Sequence, residues 1–254
     1  MLSHTSGIKE SLFTDPGILM GSMLEPAKIW QPSAVATVLA RSARSRAATQ
    51  PTTAPHAFTY ANDNYILLGL IAEQVGGRPL AAQLAAEFFT PLGMTETTLL
   101  PWHPGSSVSP VAGYDEYLPF GPTLIEKTTT SWDSLTWAAG SLCSSSRDLL
   151  LWLDALFHNQ VLKPETLAHM TDWTDARDNG RDNHMVQYGL GISRYELAGH
   201  SLLGHPGGGF GGECFPFWDP ASDTAWVVVY NLSRKDNPAG TTLLARLLDS
   251  QPPK

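Results

Sequence analysis

The spacing of apolar and polar positions divides the chain into a helix-rich first part and a strand-rich last part. Residues 1–30 carry Gly7, Pro16, Gly17, Gly21 and Pro26 and read as loop. The run PSAVATVLARSARSRA predicts a helix from Ser33 to about Ala48, with Pro32 ahead of it and Ser33 able to cap it. Residues 49–58 form a Pro- and Thr-rich loop. Tyr65 to Val75 is apolar nearly all round, which predicts a deeply buried helix closed by Gly76-Gly77. A further helix runs from Pro79 to about Thr90 and stops before Pro91-Leu92-Gly93. Residues 99–137 show no clear period, as expected of a segment that wraps a surface or walls a site. Ser145-Ser146-Arg147-Asp148 has the form of a capping box and predicts a helix from Arg147 to about His158. Pro164 to Asp172 predicts a short one.

After residue 185 the period changes. Tyr188–Tyr195, Ser201–His205, Glu213–Trp218 and Thr224–Leu232 read as strands, with Asp219–Asp223 as the turn between the last two. Pro238 to Asp249 reads as a closing helix. The expectation is an α+β fold in a single domain. Its mainly helical part with cleft loops covers residues 1–185, and its antiparallel sheet and packing helix cover 186–254.

A chain of 254 residues, 43% of them hydrophobic, can bury a sizeable core. The net charge of −8 leaves no basic face to neutralise phosphates, which argues against a nucleic-acid partner. Arg41, Arg44 and Arg46 read as a solvated helix face. Cys143 and Cys214 suit neither a disulfide framework nor a metal site and are expected to be buried thiols. No run of 18 apolar residues predicts a transmembrane segment. The eight histidines show no ligand spacing, so no metal and no cofactor is expected. The first residues do not have the form of a signal peptide, and the sequence leaves the compartment open.

Three segments could carry chemistry: His4-Thr5-Ser6-Gly7, Tyr60-Ala61-Asn62 ahead of a helix, and Gly204-His205-Pro206-Gly207-Gly208-Gly209 at a strand end. In order along the chain stand LSHTSGI (2–8), FTYANDNYILLGLIAEQVGG (58–77), PLGMTETT (91–98), AAGSLCSSSRDLLLWLDAL (138–156) and GHPGGGFGG (204–212). Together they resemble the serine β-lactamase-like, penicillin-binding-protein superfamily. The likeness is to the branch of class C β-lactamases, D-alanyl-D-alanine carboxypeptidases and related esterases. That resemblance implies a β-lactamase/transpeptidase-like fold and hydrolysis of an amide or ester through an acyl-serine. It implies Tyr60 as proton relay or general base, and Asn62 as a hydrogen-bond partner of the substrate amide or of the catalytic Lys. His205 stands where many relatives have the Lys of K-T-G. This H-x-G form turns the expectation from β-lactamase toward a carboxypeptidase or esterase acting on a small-molecule or peptide substrate. Gly207 would let substrate approach the strand, and the N–H of Gly208 would donate to the oxyanion.

The family's S-x-x-K nucleophile motif lies upstream of HTSG, and here HTSG begins at His4. The resemblance therefore implies a chain lacking the first strands and the nucleophile helix. Such a chain is expected to be inactive as it stands and open to self-association through an exposed sheet edge. Ser6-Gly7-Ile8-Lys9 spells S-x-x-K, but Gly7 is a poor helix residue and Asp15-Pro16-Gly17 soon follows, so Ser6 is not expected to be the nucleophile. The alternative is a pseudoenzyme that binds or scaffolds. Tyr60, Asn62 and His205 together favour the hydrolase.

Overall fold

The computed structural model describes residues 1–47, 57–101, 108, 110–116, 124–126, 129–177, 184–209, 211–233 and 239–250. In chain order the helices are α1 (Pro16–Leu24), α2 (Pro32–Ala47), α3 (Asp63–Gly76), α4 (Leu80–Leu84), α5 (Thr130–Thr136), α6 (Ser146–Phe157), α7 (Pro164–Met170) and α8 (Ala239–Asp249). The strands are β1 (Thr98–Leu99), β2 (Tyr114–Glu116), β3 (Leu124–Glu126), β4 (Leu142–Cys143), β5 (Thr174–Asp175), β6 (Met185–Tyr188), β7 (Ser193–Leu197), β8 (His200–Gly204), β9 (Gly207–Gly209), β10 (Gly212–Asp219), β11 (Thr224–Tyr230) and β12 (Leu232–Ser233). The chain falls into two compact units. One is Met1–Pro91, Thr95–Val108 and Thr129–Cys143; the other is Leu92–Met94, Ser109–Thr128 and Ser144–Lys254.

The first unit is helical. Asp15 starts α1 by accepting at Oδ1 from the N–H groups of Gly17 and Ile18, and Pro16 fills a first-turn position that needs no donor. Residues 1–30 are therefore not all loop: the Pro-Gly pair that reads as a breaker sits at a helix start. Helix α2 forms where the pattern predicts it and buries Val35 and Leu39. Of the arginine cluster, Arg41 is exposed, while the side chains of Arg44 and Arg46 lie outside the described residues. Helix α3 ends at Gly77 in the left-handed region, φ 64°. Its burial is one-ended, which corrects the expectation of a deeply buried helix. Ile66 is fully buried, whereas Val75 is 83% exposed. The buried end is packed closely: a Cβ on Gly69 would sit 2.5 Å from Ala138 Cβ and 2.8 Å from the Trp137 ring. Helix α5 lies inside the segment that shows no period, capped by Thr129 accepting from the Trp132 N–H. Nearby, burial pushes the Asp133 carboxyl up to about 6.

The second unit carries the main sheet, in the order β11-β10-β8-β7-β6-β5, with β9 also paired to β10. Ser145 caps α6 by accepting from the Asp148 N–H, as the capping box predicts. Helix α6 packs on β10 and β11, with Phe157 stacked on Trp218 at 5.3 Å. Helix α8 buries Leu244 and Leu248 against the same strands. The stretch Tyr188–Tyr195 is not one strand but the hairpin β6–β7, closed by the Gly189 N–H donating to the Ile192 carbonyl at 2.8 Å. Two glycines within that run allow a turn where the apolar pattern suggested continuity. Strands β11 and β5 are the outermost of this sheet among the described residues, and Val229 on β11 is exposed. Both cysteines are free and half-buried rather than buried, and burial still pushes the Cys214 thiol up to about 11.

Candidate active site

The sequence-derived site residues fall into two groups, Tyr60 and Asn62 on the first unit and His205, Gly207 and Gly208 on the second.

The first group is built from side chains. His4 is fully buried with φ 53°, and its Nδ1 accepts from the Ala61 N–H at 3.2 Å. Its carbonyl accepts from the Thr59 N–H at 2.9 Å. Its ring lies 4.2 Å from that of Tyr60, tilted by 31°. Asn64 completes the clamp: its Nδ2 approaches His4 Nδ1 at 3.3 Å, and its Oδ1 accepts from the Ser6 hydroxyl at 2.6 Å. An acceptor role for Nδ1 places the proton of a neutral His4 on Nε2. The HTSG segment thus grips both sides of Tyr60-Ala61-Asn62. Asp63, next along, accepts at Oδ2 from the N–H groups of Ser11 and Leu12. Burial raises its pKa against those two hydrogen bonds, and the charge of Glu10 adds to the rise.

Asn62 is buried, and its backbone N–H and its Nδ2 both donate to Glu10 Oε2, each at 2.8 Å. Sequence reasoning missed Glu10, because the contact joins residues 52 positions apart and no local spacing marks it. Ser6 and Lys9 do not share a helix face. The segment is not helical, and Gly7 sits at φ 78°, a left-handed conformation that breaks any turn of α-helix.

The second group is built from backbone. Strand β8 pairs with β10 at Leu203 and Gly204, the chain bends at His205-Pro206, and β9 returns to β10 with Gly207 opposite Cys214 and Gly208 opposite Glu213. Gly204 is needed there, since a Cβ would overlap the Pro216 carbonyl and press on Phe217. Gly207, Gly208 and Gly209 are all exposed. A Cβ at Gly207 would meet nothing within 4 Å, whereas one at Gly208 would touch Glu213 Cγ at 3.2 Å.

His205 holds the bend. Its Nδ1 lies 3.0 Å from the Pro206 carbonyl, which can only accept, so Nδ1 carries the proton. Its Nε2 then accepts from the Tyr188 hydroxyl at 2.9 Å. Both ring nitrogens are engaged within the second unit. Burial holds the pKa below the usual histidine range, which the Pro206 carbonyl opposes only in part. The imidazole is therefore neutral near pH 7 and offers no positive charge at this strand end. Tyr188, fully buried at the end of β6, is a second residue missed in the sequence, where it reads as an ordinary strand aromatic. Among the described residues no cluster of His, Cys, Asp and Glu could hold a metal ion, and no helix is long and apolar enough to cross a membrane.

Known proteins are similar to this chain in sequence and in fold. The chain is 23% identical over 207 residues to a D-aminopeptidase from Brucella ovis, a match covering 78% of this chain and 36% of that protein. The chain thus spans little more than a third of that relative's length. A D-stereospecific amidohydrolase from Streptomyces sp. superposes with a TM-score of 0.75 at 25% identity, covering 91% of this chain and 66% of the other. A D-amino acid amidase from Ochrobactrum anthropi SV3, complexed with D-phenylalanine, gives a TM-score of 0.76 at 24% identity over 98% of this chain and 76% of the other. These likenesses give the fold as β-lactamase/transpeptidase-like, with an antiparallel sheet and packing helices. The family described as Beta-lactamase matches residues 1–249, all but the last five, and the chain belongs to that family.

Proposed function

We propose that the chain is part of a serine hydrolase that opens an amide bond through an acyl-serine, on a substrate built around a D-amino acid. The observation that carries this reading is the clamp on Tyr60-Ala61-Asn62. Two buried polar side chains, His4 and Asn64, together with Glu10, hold this tripeptide by both its backbone and its side chains. A structural turn needs no such investment of desolvated polar groups. In this reading Tyr60 relays the proton between nucleophile and leaving group, and Asn62 bonds the substrate. The Gly208 N–H is an oxyanion donor, and His205 sets the bend that presents Gly207 and Gly208. The names of the relatives favour an aminopeptidase or amidase over the carboxypeptidase or esterase expected from H-x-G. A neutral His205 agrees with that preference, since it gives a substrate carboxylate no cation to meet.

Incubation with a fluorescent penicillin and with a fluorophosphonate, read by intact mass and peptide mapping, tests the role given to the HTSG segment. The proposal expects no adduct on Ser6; an adduct there contradicts the roles given to the HTSG segment. The open edge of β11 supports self-association, which sedimentation of the chain at increasing concentration checks.

A further inference from the structure

Residues directly opposite each other on paired strands share a sheet face. On the main sheet Arg194 of β7 stands opposite Leu203 of β8, and Leu203 stands opposite Trp218 of β10. Helix α6 covers the Trp218 end of this row, where Phe157 stacks on the indole. Over Leu203 and Arg194 the same face opens into a cleft of about 490 Å³, built wholly from the second unit. Trp173, which follows α7, and Pro220 and Ala221 of the β10–β11 turn line it as well. The volume falls in the range of small-molecule sites, and these walls are apolar. The charged side chain in the lining is Arg194.

That guanidinium is held before any ligand arrives. Its Nε donates to the Ser201 hydroxyl at 2.7 Å, and its Nη1 donates to Gln187 Oε1 at 3.3 Å. The group is thus tied to β6 and β8 on either side of its own strand. A guanidinium has five N–H donors. Three of them, both on Nη2 and one on Nη1, meet no acceptor among the described residues. Glu196 Oε1 lies 3.4 Å from Nε, but both side chains of that pair are more than a third exposed, and such pairs are weak. The Nη end of the fork therefore keeps its charge and its donors.

We propose that this cleft is a binding site for a small carboxylic acid with an apolar, ring-sized body. The two carboxylate oxygens match the Nη end of Arg194, and the body lies over Leu203 between Trp173 and Pro220. The corresponding amide offers one neutral oxygen in place of two charged ones, so the cleft prefers the acid. Inorganic phosphate has the charge but no body to cover the apolar walls. The site uses none of Tyr60, Asn62, His205, Gly207 or Gly208, so it stands apart from the hydrolase reading.

The test titrates the full chain, isotopically labelled, with 3-phenylpropionate, 3-phenylpropionamide and inorganic phosphate, followed by amide and indole N–H resonances. The acid gives saturable shifts at the Trp173 indole and at the backbone amides of Ser201, Leu203 and Ala221. It binds about tenfold more tightly than the amide, as a charge-assisted bidentate pair allows. Arg194→Met keeps the apolar stem, removes the fork and abolishes that preference. Ala221→Asp changes an exposed rim residue without touching Arg194, and it weakens the acid about threefold while leaving the amide unchanged. Equal binding of acid and amide by the unmodified chain overturns the proposal, as does a preference that survives in Arg194→Met. Phosphate shifting the same resonances as strongly as the acid overturns the class of ligand. Shifts confined to other residues, or no saturable shift at all, overturn the site, and the hydrolase reading is untouched by any of these results.

Discussion

The two groups of candidate residues are built by opposite means. Around Tyr60-Ala61-Asn62 the work is done by side chains: His4 and Glu10 reach across 57 and 52 positions of sequence, and Asn64 joins from three positions on, to fix three residues. From Gly204 to Gly209 it is done by their absence, with four glycines and one proline letting two strand segments share β10. A corner made from side chains fails when one is removed. Bare backbone fails where an added side chain meets packed atoms, as at Gly204, and tolerates one where the space is open, as at Gly207.

The largest expected effect is at His4. Replacing it with alanine empties a fully buried site and leaves the Ala61 N–H without its acceptor, a loss of about 3 kcal/mol read by chemical denaturation. Gly204→Ala comes next, at about 2 kcal/mol, because the added methyl meets backbone that cannot step aside. Tyr188→Phe costs about 1 kcal/mol by depriving His205 Nε2 of its donor. The same change raises the His205 pKa, since the lost bond favoured the neutral ring, and imidazole NMR titration reads it directly. The smallest effect is Gly207→Ala, below about 0.5 kcal/mol, because the space above that residue is open. If Gly207→Ala destabilised the chain as much as Gly204→Ala, the contrast between the two groups would fail.

The pH dependence of stability sharpens the same contrast. The folded pKa of His205 is lowered below its unfolded value near 6.5, so the unfolded state binds more protons in the window between the two. Stability contributed by the neutral ring is full above that window and is lost as pH falls through it. Urea titrations at a series of pH values check this: His205→Gln removes the rise of stability with pH and leaves the opposite slope of Asp133, whose carboxyl burial raises to about 6. A rise that persists in His205→Gln assigns it to another group.

The sequence announced the motifs but not their partners. Tyr60, Asn62 and the glycine-rich segment were visible because family wording and local spacing mark them. Helices α2, α6 and α8 were visible because caps and periodic apolar positions are local signals. Helix α1 was not, because Pro16 and Gly17 break a helix interior but suit a helix start, and only the Asp15 cap separates the two cases. The β6–β7 turn was hidden by the apolar residues on both sides of Gly189 and Gly191. Glu10 and Tyr188 were illegible for a different reason: each matters through a partner distant in sequence, Asn62 at 52 positions and His205 at 17. No period encodes a contact of that kind.

The central claim is that the clamped Tyr60-Ala61-Asn62 corner binds substrate rather than merely bracing α3. A titration of the labelled chain with D-phenylalanine amide, followed by backbone and side-chain amide resonances, tests it directly. The account predicts saturable shifts at residues 59–64 and at Glu10. Shifts confined to other residues, with the fold intact, would contradict it.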